Sequence, residues 1–189
     1  MLSILKKIFV TPVKYEVVSG DTRDLEREKM YELQNKSSKE MWIVAGELDK
    51  QFYNEKFVNI IKDKLEKIPD FRVNILFSKD ATLSLEERIK LVYEENTQLC
   101  NLLKGGAFGG RFSMFLSTKR PEYHFGIVDS SILIEKIHEP KANRDVLLVD
   151  NYNTLIEKYK RYFIKLIKEP DSDNKIKQLS FNDFQNIAA

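Results

Sequence analysis

The chain has 189 residues, 42% hydrophobic and 32% charged, with 31 Lys+Arg against 29 Asp+Glu for a formal net charge of +2. That length and mixture suit one globular domain with short appendages and exclude a disordered chain, and the near balance of charge makes no demand for nucleic acid or anionic lipid. Two His and one Cys exclude a three-imidazole metal site, a zinc cluster built on several Cys and an internal disulfide.

No run approaches 18 apolar residues, so no transmembrane helix is predicted. Lys6 and Lys7 interrupt the first apolar run and no cleavage-site pattern follows it, which argues against a secretory signal. The expected location is cytoplasmic, with no cofactor and no metal. In residues 2–9 (LSILKKIF), Leu2, Ile4, Leu5, Ile8 and Phe9 share one helical arc. Such a basic amphipathic segment can pack on protein or make peripheral contact with a membrane. Residues 21–40 are charged, with a thin apolar stripe of Leu25, Met30 and Leu33. They predict a helical extension, so residues 1–40 are set apart from the domain that follows.

From Met41 the pattern alternates. Met41–Gly46 (MWIVAG) is a short buried strand. Residues 53–68 carry Phe57, Ile60, Ile61, Leu65 and Ile68 at helical spacing, and Pro69 stops them. Phe71–Phe77 alternates as a strand. Ser84 and Glu87 form a capping box that opens a helix to about Lys104. Cys100 lies in that helix as a small buried hydrophobe. The glycines of GGAFGG (105–110) follow a helix, precede a strand and lack a closing Gly-Lys-Ser/Thr. They therefore read as helix termination and link, not as a phosphate loop.

Three strands follow, at 111–117, 123–128 and 131–136, with a fourth at 146–149. A second capping box at Thr154 and Glu157 opens a helix to Lys168. Its Lys158, Lys160, Arg161, Lys165 and Lys168 form a solvated face, with Tyr159 and Tyr162 turned inward. Residues 171–189 are polar with scattered apolar positions and predict a flexible tail. The domain proper is 41–170. Its β-α-β-α-β-β-β-β-α order predicts a mixed sheet flanked by helices, an α/β fold.

The tight turn Asp129-Ser130 pairs residue 128 with 131 and so sets His124 opposite Glu135, side chains on one face. A carboxylate there fixes the imidazole's tautomer, as in acid/base and nucleophilic histidines. Gly126 shares the face and adds no side chain. His138 reads as a surface loop residue.

The segment around His124, in this order of elements, resembles one half of the phospholipase D-like superfamily over residues 41–168. In that superfamily a strand carries His-x-Lys, two halves meet at a two-fold axis, and one histidine attacks phosphorus while the other protonates the leaving group. Here His124 matches the histidine and Gly126 stands at the lysine position. The pattern is similar to the degenerate, non-catalytic branches, which include the C-terminal domain of the microtubule-interacting and trafficking protein. The resemblance implies a homodimer that binds a phosphate-bearing ligand or a protein partner without catalysis, through Arg120, His124, Glu135 and Asn151. Its rival implication is a metal-independent phosphodiesterase or nuclease, with His124 of both subunits acting through a phosphohistidine and Glu135 orienting it.

Overall fold

The computed structural model describes residues 12–18, 23–135, 146–169 and 174–185. The amphipathic segment 2–9 and His138 lie outside them. The described chain opens with β1 (Lys14–Val18) and α1 (Arg23–Lys36). Next come β2 (Glu40–Val44), α2 (Glu55–Lys67) and β3 (Arg72–Ser78), then α3 (Leu85–Glu95), α4 (Thr97–Asn101) and β4 (Phe112–Ser117). A meander of β5 (His124–Val128), β6 (Ser131–Glu135) and β7 (Val146–Asp150) leads into α5 (Asn153–Lys168). β8 (Ile176–Gln178) and α6 (Phe181–Gln185) complete the described elements.

The strands form one open mixed sheet in the order β1-β7-β6-β5-β2-β3-β4-β8. β2, β3 and β4 run parallel, as their helical crossovers require. The other neighbours are antiparallel. Both faces are covered. α5 lays Ile156 and Phe163 on Val44, Phe115, Phe125, Ile127 and Ile132. Phe163 is fully buried, edge-on to Trp42 at 5.1 Å and to Phe115 at 6.0 Å between ring centroids. The opposite face buries Tyr31 of α1, Phe57 and Ile61 of α2, Val92 of α3, Leu99 of α4 and Phe184 of α6. Among the described residues no helix is long and apolar enough to cross a membrane.

The α/β class and the sheet flanked by helices are as predicted. Several local expectations are not. The helix expected to run to Lys104 breaks at Asn96, whose backbone (φ −132°, ψ 38°) leaves the helical region. The Ser84 capping box forms, but the one at Thr154 does not. α5 begins two residues earlier, after Tyr152, and has no side-chain cap. Gly105 and Gly106 take φ of 65° and 64°, the left-handed turn that ends the helical stretch.

The described part of 1–40 is not an appendage. β1 pairs with β7 as one edge of the sheet, and Tyr31 sits in the core. Nor is the described part of 171–189 a free tail. β8 pairs with β4, Leu179 and Phe184 are buried, and Phe184 stacks on Tyr93 at 5.3 Å. Cys100 is buried as expected. Burial pushes its thiol up to about 12, so it remains an unreactive thiol at neutral pH.

The β5–β6 turn is held from outside. Asp129, at φ 51°, accepts from the backbone N–H groups of Ser38, Lys39 and Glu40 at 2.7, 3.0 and 2.9 Å. One carboxylate thereby fixes both its own hairpin and the start of β2. Asp129→Ala is expected to lose about 1.5 kcal/mol in a urea unfolding series, the order of one charge-assisted bond at a partly exposed site. An unchanged midpoint would show that water replaces the carboxylate without loss.

A candidate ligand-binding site at the strand ends

The carboxyl ends of the parallel strands and the ends of β5, β6 and β7 enclose an open cavity of about 640 Å³. In α/β sheets such crevices are where ligands bind. His124 opens β5 and pairs in register with Glu135, which ends β6, as the hairpin turn predicts. Nδ1 of His124 lies 3.0 Å from the Glu135 carboxylate. The carboxylate can only accept, so Nδ1 carries the proton and a neutral ring has a bare lone pair at Nε2. His124 is 6% exposed, and its Nε2 is buried with no hydrogen-bond partner among the described residues.

Beside that nitrogen stands Gly46, just past β2. Its carbonyl accepts from the backbone N–H of Ser78 at 3.0 Å and from the Ser78 hydroxyl, so β3 pins it. A Cβ on Gly46 would stand 2.7 Å from Cε1 and 2.9 Å from Nε2 of His124, and 2.8 Å from Nε of Arg120. The absent side chain is thus what allows the imidazole and the guanidinium to converge. Arg120 is exposed and makes no ion pair or hydrogen bond among the described residues.

Lys79, at the end of β3, is different. Burial alone would lower its pKa. Glu95 at 2.6 Å and Glu47 at 3.5 Å more than offset this and leave it raised. Its charge is already matched by those two carboxylates. Glu26, Asp49 and Tyr53 complete the far wall. Burial, and then the carboxylates of Glu26, Glu135 and Asp49, hold the Tyr53 phenol well above its ordinary value, so it stays a neutral hydroxyl.

Of the residues singled out from the sequence, Arg120, His124 and Glu135 come together on this cavity. Asn151 does not. It follows β7 at the far end of the sheet, with φ 61°, its N–H on the Ser130 carbonyl at 2.9 Å. Five residues of strand, about 16 Å, separate it from the cavity-lining Val146. At the lysine position, Gly126 is covered by α1. A Cβ there would stand 2.5 Å from the methyl group of Met30. Sequence reasoning missed Gly46, Lys79 and the lid formed by Met30. Tyr159 and Tyr162 turn inward as expected, Tyr159 edge-on to Phe125 at 4.9 Å and Tyr162 to Tyr123 at 5.4 Å.

The fold is thus an open mixed α/β sheet with helices on both faces and a histidine at the head of the first meander strand. No family model matches the chain, and no curated protein matches its sequence. Solved structures do match. Phosphatidylserine synthase of Haemophilus influenzae Rd KW20 superposes with a TM-score of 0.58 at 14% identity, over 90% of this chain and 41% of that one. NucT from Helicobacter pylori gives 0.53 at 9% identity, over 82% of this chain and 96% of that one. TrmBL2, an archaeal chromatin protein with a novel mode of DNA binding, gives 0.53 at 14% identity, over 86% and 56%. The chain therefore spans about half the length of TrmBL2 and less of the synthase. At these identities the likeness is one of fold.

Proposed function

We propose that this chain is a non-catalytic, phospholipase D-like binding domain that seats one phosphate group of a ligand or protein partner between Arg120 and His124. One observation carries the reading: the buried Nε2 of His124 and the guanidinium of Arg120, neither partnered among the described residues, converge over a residue without a side chain. A buried polar atom without a partner is costly and rare, and a phosphate O–H that donates to it removes the cost.

Gly126 speaks against chemistry. Phosphoryl transfer depends above all on stabilising the charge of the transferring group. Here the position for that stabilising charge is a glycine roofed by Met30. The remaining cavity wall also opposes a polyanion. Glu26, Glu47, Asp49, Glu95 and Glu135 outnumber Lys50, Lys79 and Arg120. A single phosphate at the Arg120 end fits this field, and a nucleic-acid backbone laid across the cavity does not.

A second reading is favoured by the His124–Glu135 pair. A carboxylate on Nδ1 and a bare Nε2 are what an imidazole nucleophile needs, and two copies of the chain would supply attacker and acid, with Arg120 in place of the lysine. One experiment separates the two. Isothermal titration with phenyl phosphate, and incubation with a chromogenic phosphodiester and with single- and double-stranded DNA in the absence of metal, are run on wild type, Arg120→Ala and His124→Gln. Binding that weakens about tenfold or more in each variant, the worth of one charge-assisted bond, together with no cleavage, supports the binding domain. Cleavage lost in His124→Gln would overturn it in favour of the enzyme.

A further inference from the structure

The two edges of the sheet are built differently. β8 is three residues long and carries Lys177 at its centre, bonded to Asp183 at 2.7 Å. That is a short, charged edge of the kind that resists pairing. β1 is five residues, KYEVV, paired on one side to β7. Among the described residues, no strand pairs with its other side. Val13, Tyr15 and Val17 are 39%, 63% and 62% exposed. Tyr15 and Val17 lie beside Val149 and Leu147, on the α5 face but beyond the helix. Glu16 points to the other face, where it meets Lys29 of α1 at 3.1 Å.

The edge is also self-complementary. Consider a second copy of β1 laid antiparallel along it, with the two-fold axis at Tyr15. Val13 then faces Val17, Tyr15 faces Tyr15, and Lys14 faces Glu16, each of the unlike pairs occurring twice. Apolar residues meet on one face, and opposite charges on the other. A shift of register by two residues in either direction loses this match: it puts Lys14 or Glu16 on the axis, where each faces its own like charge.

We propose that β1 is a homotypic edge, pairing with β1 of a second copy of this chain to join the two sheets into one. The proposal is independent of the phosphate reading. It has a geometric consequence for the site. Seven strand spacings would separate the two copies of His124, about 34 Å at ~4.8 Å each, so such a dimer cannot bring both imidazoles to one phosphorus atom.

The test is sedimentation of the full chain from about 1 to 100 µM. A dimer is expected, and Lys14→Glu or Glu16→Lys alone weakens it about tenfold, because each places two like-charge pairs across the axis. The double variant Lys14→Glu/Glu16→Lys restores the opposite pairing and returns to within about threefold of wild type. Across the axis the Tyr15 Cα atoms would lie about 4.5–5.5 Å apart, within disulfide reach. Tyr15→Cys therefore gives a covalent dimer under mild oxidation, and Tyr152→Cys, an exposed position at the head of α5, does not. A wild-type monomer across that range overturns the proposal. So does a dimer indifferent to both single charge reversals, or equal cross-linking of the two cysteine variants.

Discussion

Gly46→Val is expected to abolish phosphate binding and to cost about 3 kcal/mol of stability, at the upper end for small-to-large changes in packed sites. The backbone of Gly46 cannot retreat, because its carbonyl is fixed by Ser78 and its strand by β3. The new Cβ would stand 2.7 Å from the His124 ring, so the ring must turn. Turning it breaks the 3.0 Å contact with Glu135 and takes that partner from the buried imidazole. Arg120 can swing away at little cost, since it is exposed. The stability loss is therefore assigned to the imidazole and the binding loss to both residues. Gly46→Val in a His124→Ala background distinguishes this from general crowding, because without the ring the valine costs about 1 kcal/mol or less. Equal destabilisation in the two backgrounds, measured by urea unfolding, would count against a seat defined by Gly46.

Much of the sheet was legible because hydrophobic period and turn chemistry agreed locally. The Asp129-Ser130 turn fixed the pairing of His124 with Glu135 from spacing alone. The apolar run at Met41 and the alternation at Phe71 marked β2 and β3. What escaped was short or depended on distant residues. β1 alternates Lys14, Tyr15, Glu16 and Val17, yet five residues beside a charged helix gave too little pattern to outweigh the reading of an extension. β8 has three residues and exists because β4 offers an edge. Asn96 breaks a helix whose apolar stripe continues through it, and sequence periodicity cannot see such a break. The site divides the same way. His124 and Glu135 are neighbours on one hairpin, whereas Gly46 meets His124 only through the pairing of β2 with β5, and Met30 meets Gly126 only through the packing of α1. No local motif encodes either contact. Asn151 follows the opposite end of β7 from the cavity, which only the strand direction shows.

Restoring the missing lysine is expected not to restore catalysis. In Gly126→Lys the side chain starts beneath Met30, whose methyl group lies 2.5 Å from the ideal Cβ. Met30 is the flexible end of a thioether chain, so Gly126→Ala should be tolerated within about 1 kcal/mol. Lysine asks for more. Met30 packs on Leu133, Val146 and Leu148, and a four-carbon stem must displace it before the ammonium reaches the cavity. There it would meet Glu26 and Glu135 before any ligand. About 2 kcal/mol is the expected loss for the single variant. Met30→Ala/Gly126→Lys should recover about half of it, since the two positions compete for one space. Both variants are expected to leave a chromogenic phosphodiester intact, because a lysine paired to carboxylates stabilises no developing charge on a phosphoryl group. Gly126→Lys as stable as wild type would show that Met30 is no obstacle. Turnover by either variant would show that charge alone separates this site from an enzyme, and the binding-only reading of the wild-type cavity would then rest on Gly126 and not on the cavity's acidic wall.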